Sequence, residues 1–208
     1  MSLLKQLQWR YAAKRMNGQE VPKDKMEIIL ESIRLAPTSM GLQAFHVFVV
    51  SDEQTKTMIY EKSCRQNQIK EASHILIFAA NTTISWQQVD SYLENIATIR
   101  NVDMESLQDF RTYFSPIISK SPEKQFIWTS RQTYIALAYA TIAAAHESVD
   151  ATPIEGFKIE ALDELLSLKE KGLSAVSILA LGYRDQENDY LTNAKKVRKN
   201  KEELFTAI

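Results

Sequence analysis

Ala151-Thr152-Pro153-Ile154-Glu155-Gly156-Phe157 lies between a long apolar run and a second helical pattern, and the organisation of the chain turns on how it is read. Pro153 fixes one backbone φ and Gly156 has no Cβ. A Pro-Ile-Glu-Gly turn therefore bares consecutive backbone N–H groups beside a carboxylate and lets the main chain approach a flat ligand. Taken alone, the segment reads first as punctuation between two helices. Its surroundings have to decide.

Upstream, Phe126 to Glu147 is apolar on nearly every face, which predicts a central helix. Ser121 is its N-cap candidate, Pro122 sits in its first turn, and Ala136, Ala138, Ala140, Ala143, Ala144 and Ala145 permit close helix contact. Downstream, Ile159 to Leu168 predicts a short helix, and Ala175 to Leu181 a buried strand closed by Gly182-Tyr183-Arg184-Asp185. Nearer the N-terminus, Leu3, Leu4, Leu7 and Tyr11 recur at helical spacing, as do Met26, Ile29, Leu30, Ile33 and Leu35 up to the break at Pro37. Glu53–Cys64, Ile84–Met104 and Ser106–Ser119 read as helical, whereas Phe45–Val50 and His74–Ala80 are compact β runs. Strands scattered among dominant helices predict one α+β domain over residues 1–208 with a central sheet. Residues 186–208, with Lys195, Lys196, Arg198, Lys199 and Lys201, read as a solvated C-terminal arm.

A net charge of −1 over 208 residues provides no broad field for nucleic acid or anionic lipid, so any anion site must be local. No apolar run approaches the roughly 20 residues of a membrane span, and Met1–Gln8 does not read as a secretory signal. Cys64 is the only cysteine, which excludes an intrachain disulfide and a thiolate zinc cluster; a reducing, cytoplasmic setting is expected. His46, His74 and His146 stand singly without metal-ligand spacing, so hydrogen bonding is the expected role of each.

Arg10 and Lys14 near the start, Ser39 in the polar loop Pro37–Gln43, and Lys196 with Arg198 near the end can converge on one anionic, planar ligand. Each alone has an ordinary explanation as a surface charge or a turn residue. Their order matters more. Arg10 to Lys14, Leu35-Ala36-Pro37-Thr38-Ser39 with Gln43, Ala72-Ser73-His74, Pro153-Ile154-Glu155-Gly156-Phe157, Leu168-Lys169-Glu170-Lys171-Gly172, and Gly182-Tyr183 followed by Lys196-Val197-Arg198 form an ordered set. In it the chain resembles the FMN-dependent nitroreductase family, in particular its oxygen-insensitive NAD(P)H nitroreductase branch.

The resemblance implies an α+β fold with a mixed or antiparallel sheet flanked by helices, and an intertwined homodimer with FMN at the subunit interface. It implies a cofactor-binding set of Arg10, Tyr11, Ala12, Lys14, Thr38, Ser39, Gly41, Arg65, Gln68, Pro153, Ile154, Glu155, Gly156, Lys196 and Arg198. Arg10, Lys196 and Arg198 would hold the phosphate, Lys14 would lie near N1 and O2, Thr38 and Ser39 would bond ribityl or phosphate oxygens, and the Glu155 and Gly156 amides would face N5 and O4. Tyr113 and Phe114 would touch substrate; Trp86 and Phe110 would pack. No catalytic side chain and no metal are implied.

The chain also departs from that pattern. Arg10-Tyr11-Ala12 lacks a serine, Gly41 stands where asparagine is common, and Ala44 where proline is common; Gln68 can donate to O2 but brings no charge. The implied activity is ping-pong hydride transfer from NAD(P)H, through flavin N5, to nitroaromatic or quinone acceptors. No Gly-rich dinucleotide motif is present, in keeping with a transient nucleotide substrate. A flavin storage or regulatory protein, a pteridine reductase and an aromatic dehalogenase remain as alternatives on the same fold.

Overall fold

The strands are β1 (Phe45–Val50), β2 (His74–Asn81), β3 (Asp150–Ile154) and β4 (Leu173–Gly182), in a computed structural model that describes residues 2–208. They form one antiparallel sheet in the order β1-β2-β4-β3. In β2, Ile75, Ile77 and Ala79 point into one core cluster, with Ile59, Ile69 and Leu162; Leu76 and Phe78 point into the other, with Ile29, Ala136 and Ala140. Strand side chains alternate faces, so a run apolar at every position belongs in a sheet covered on both sides.

β3 corrects the reading of Pro153-Ile154-Glu155-Gly156 as a turn. Pro153 and Ile154 end a strand that is paired to β4 alone, from Asp150 opposite Gly182 to Ile154 opposite Ile178. At a sheet edge a proline removes no ladder bond from a second neighbour, which is why Pro153 is tolerated here. The turn contracts to Glu155-Gly156-Phe157, closed by the Phe157 N–H donating to the Glu155 carbonyl at 3.0 Å.

The helices are α1 (Leu3–Trp9), α2 (Lys23–Arg34), α3 (Glu53–Lys62), α4 (Asn67–Glu71), α5 (Trp86–Arg100), α6 (Gln108–Thr112), α7 (Ser115–Ile118), α8 (Pro122–His146), α9 (Ile159–Leu165) and α10 (Lys201–Leu204). α5 starts on a capping box between Ser85 and Gln88 and stops at Asn101 in the left-handed region. With α6 and α7 it encloses a third cluster around Val89, Leu93 and Phe114. α8 packs Ala136, Ala140 and Ala144 against the sheet and α2. Its opposite side stays bare in the single chain: Ile127, Tyr134, Tyr139 and Ile142 are each at least 40% exposed. Exposed Leu3, Leu4, Ile28 and Leu35 extend the apolar surface of α1 and α2. No helix is long and apolar enough to cross a membrane among the described residues.

Candidate functional site

α1 ends at Trp9 because Arg10 turns extended, at φ −67° and ψ 138°. The chain then runs past β3 and α4, where the Ala13 carbonyl accepts from the Gln68 amide at 3.0 Å and the Thr152 hydroxyl at 2.9 Å. The C-terminal arm returns to this segment: the Lys196 ammonium donates to the carbonyls of Leu7 and Arg10. Between them lies a cleft of about 380 Å³ lined by Arg10, Tyr11, Ala12, Arg184, Lys196 and Arg198 among others.

Cations crowd this cleft. Burial, then Arg198, pulls the Arg10 pKa down, partly offset by Asp150; burial, then Arg10 and Arg198, does the same to Lys196. Arg10 Nε is buried without an acceptor, and Arg198 donates to its own neighbour's carbonyl on Val197. Like charges held together around an unpaired guanidinium nitrogen suit a phosphate-sized anion, which would offset their mutual repulsion.

The Glu155-Gly156 turn follows the end of β3 opposite to Asp150. Both residues are exposed, and neither N–H donates to a protein acceptor among the described residues. The 63–66 segment holds the turn from behind. Ser63 Oγ donates to the Lys158 carbonyl at 2.9 Å, Lys158 N–H donates to the Ser63 carbonyl at 3.0 Å, and Gln66 Nε2 reaches the Gly156 carbonyl at 3.4 Å. Cys64 is buried and its thiol, whose pKa burial raises, lies 3.7 Å from the Gly156 carbonyl. Arg65 is exposed and reaches the Glu61 carbonyl only at 3.5 Å.

Thr38, Ser39 and Gly41 belong to a different neighbourhood. Ser39 N–H donates to Gln132 Oε1 on α8 at 2.8 Å, Thr38 Oγ1 is buried without a partner, and the Tyr92 hydroxyl donates to the Met40 carbonyl at 2.9 Å. Gly41 sits at φ +71°, where any Cβ would run into the Tyr92 hydroxyl. Tyr92 meets Phe114 edge to face at 6.4 Å, so the aromatic helices α6 and α7 back this loop. Phe114 corrects an expectation: at 0% exposure, packed by Tyr92 and Phe110, its side chain has no surface to offer a substrate. Tyr113, 64% exposed, does.

α8 stands between the two groups. Gln132, which binds the Ser39 loop, and Tyr134, whose pKa burial and the Glu155 carboxylate raise, are two residues apart, hence about 200° apart around the helix. The middle of α1 meets α8 at His146, bonded to Gln6 at 3.0 Å, and 14 residues of helix separate that point from Gln132, about 21 Å. The Ser39 loop and the Glu155 turn therefore approach α8 from different sides. Arg10, Tyr11, Ala12, Lys196 and Arg198 meet at the cleft, and Gln68 and Thr152 are tied to the same segment through Ala13; Ser39 and Gly41 meet Gln132 and Tyr92, and the structure brings Lys14, Arg65, Tyr113 and the Glu155-Gly156 turn into neither group.

Two buried carboxylates escaped the reading of motifs. Asp150, 2% exposed, takes Arg184 Nη2 at 2.6 Å and Nε at 3.0 Å, and that guanidinium lies over the rings of Trp9 and Tyr11 at 4.3 and 4.4 Å. Asp189, 4% exposed, binds Tyr11 and the Lys14 backbone. Neither carried a local signal: Asp150 is the first residue of a strand that the sequence hid, and Asp189 lies in the chain that follows β4.

The model of the nitroreductase family matches residues 7–183. A Staphylococcus epidermidis protein that carries the provisional name NAD(P)H nitroreductase is 32% identical, with 96% of this chain and 94% of the relative covered. The major NAD(P)H-flavin oxidoreductase of Aliivibrio fischeri is 25% identical over 99% of this chain and 98% of its own. Among solved structures, a provisionally assigned nitroreductase from Exiguobacterium sibiricum, in complex with FMN, superposes with a TM-score of 0.84 at 15% identity, covering 100% of this chain and 98% of that one.

Proposed function

Because the chain belongs to the nitroreductase family, we propose that it is an FMN-dependent oxidoreductase that uses NAD(P)H to reduce flat, electron-poor acceptors such as nitroaromatics and quinones, by a ping-pong mechanism. The observation that carries the reading is the cleft where Arg10, Lys196 and Arg198 crowd around a buried, unpaired guanidinium nitrogen. These residues fit the FMN phosphate. When bound, FMN supplies the hydride-accepting and hydride-donating centre.

The chain's own groups hold and tune that centre. Arg10, Lys196 and Arg198 neutralise the phosphate. The Lys14 ammonium, half-buried on the 10–14 segment, stabilises negative charge at the N1–O2 edge and so favours the reduced state. The free Glu155 and Gly156 amides would be available to hydrogen-bond the ring edge of the flavin. Gln68, whose amide is bonded to the Ala13 carbonyl, acts by fixing the 10–14 segment. Thr38, Ser39, Gly41 and Tyr113 complete the site from a second copy of the chain, whose docking covers the bare side of α8 and makes the protein a homodimer. A cytoplasmic location suits the lone buried Cys64.

The test is the absorbance of the purified protein, followed anaerobically. The expected result is a yellow protein whose flavin band bleaches with NADH or NADPH and returns with a nitroaromatic or quinone. A colourless protein that cannot be reconstituted with FMN refutes the reading, and a yellow one that no reduced nucleotide bleaches refutes the reductase.

A further inference from the structure

Asp189 is a buried carboxylate that the hydride chemistry does not use, set where the chain leaves β4 for the C-terminal arm. Its Oδ2 accepts from the Tyr11 hydroxyl at 2.9 Å and from the Lys14 N–H at 2.8 Å, and its Oδ1 from the Leu191 N–H at 2.9 Å. Its own N–H donates to the Asp185 carbonyl at 2.9 Å. The Tyr11 hydroxyl also lies 3.3 Å from Thr192 Oγ1. One carboxylate thus ties the root of the arm to the residue carrying the Lys14 ammonium and to a ring already stacked on Arg184.

We propose that Asp189 is a positioning residue for the anion cleft, holding the 11–14 segment and the root of the arm in one arrangement so that Lys14, Lys196 and Arg198 stand preassembled around the ligand. This deepens the functional reading and rests on it. Preassembly has a physical opponent. Arg10, Lys196 and Arg198 repel one another, the arm beyond Thr192 is exposed, and α10 is its only helix among the described residues. Without a fixed root, the arm cations relieve the repulsion by moving into solvent, and ligand binding must then carry the cost of gathering them.

The carboxylate has to be ionised to do this. Burial pushes the Asp189 pKa up, but donors from Leu191, Lys14, Tyr11 and Arg15 together outweigh it and hold the group below the usual range. The charged groups around it are Arg184 across the Tyr11 ring and Asp185 on its own loop, while Lys14 and Arg15 meet it through their main-chain N–H groups. A depressed folded value means the tether is intact above about pH 3.9 and is lost as the pH falls through that folded value.

Asp189→Asn keeps the shape but presents an NH2 group to N–H donors. With FMN as the titrant and flavin fluorescence as the readout, D189N is expected to raise the FMN Kd about tenfold or more, and Tyr11→Phe several-fold. Because they share one bond, the double variant should bind no worse than D189N. At saturating FMN, the flavin potential of D189N should fall as the Lys14 ammonium shifts; the distant Glu31→Gln should change neither quantity. D189N with a Kd within twofold of wild type and an unchanged potential overturns the proposal. If D189N does not fold, Y11F decides: a wild-type Kd overturns it, and a several-fold rise supports it. Wild-type protein that holds no FMN overturns the functional reading as well, whereas wild-type binding beside an unaffected D189N overturns this inference alone.

Discussion

Asp150→Ala should destabilise the protein by about 3–5 kcal/mol, the cost of leaving one partner of a buried ion pair uncompensated. The structure argues for this magnitude rather than the 0–1 kcal/mol of a surface pair. Asp150 is 2% and Arg184 15% exposed, the carboxylate takes both Nε and Nη2, and it also accepts the Arg184 backbone N–H at 2.8 Å. Arg184 cannot turn to water without giving up its stacking on Trp9 and Tyr11. For a chain of this length each kcal/mol moves Tm by about 2–4 °C, so the expected fall is about 6–20 °C. The assay is thermal and urea unfolding at one protein concentration, because association with another copy would make Tm concentration-dependent. Adding Arg184→Met to D150A should recover part of the loss by removing the stranded charge. A D150A protein within about 1 kcal/mol of wild type would refute the reasoning, since it would mean that this guanidinium reaches solvent freely.

Arg198→Ala should weaken FMN retention by about 1.5–3 kcal/mol, the value of a charged hydrogen bond; flavin release on dilution measures it, and wild-type retention would leave the arm merely solvated. Lys14→Ala should lower the potential of bound FMN and slow its reduction by NAD(P)H; equal potentials and stopped-flow rates would remove the role assigned to the ammonium. Gly41→Ala should cost about 1–2 kcal/mol from the left-handed backbone alone, and more from the collision with Tyr92. Adding Tyr92→Phe should return only the second part, and full recovery of the unfolding midpoint would contradict the backbone argument.

Three of the four strands were legible from residue pattern. Phe45 to Val50 matched β1 at both ends although much of it is exposed, and His74 to Ala80 and Ala175 to Leu181, short apolar runs in a sheet covered on both sides, fell within two residues of β2 and β4. β3 was hidden by Pro153, which argues against a strand unless the strand is known to be an edge, and edges are defined only once partners are assigned. The cations Arg10, Lys196 and Arg198 could be named because guanidinium and ammonium groups suggest anions, but their meeting spans almost the whole chain. The separation of Thr38 and Ser39 from that cleft depends on which side of α8 each loop takes. Asp150 and Asp189 pair across 34 and 178 residues, distances over which no local periodicity carries information.

The approach of the Ser39 loop and the Glu155 turn to different sides of α8 has a genetic consequence. If a second copy completes each site, a chain broken at Arg10 and a chain broken at Gly41 are each inactive when pure. Co-expressed, they form mixed pairs in which one site inherits both lesions and the other inherits neither. Two dead alleles would then complement one another, with one working site in each mixed pair, a behaviour that a site built from a single chain can never show.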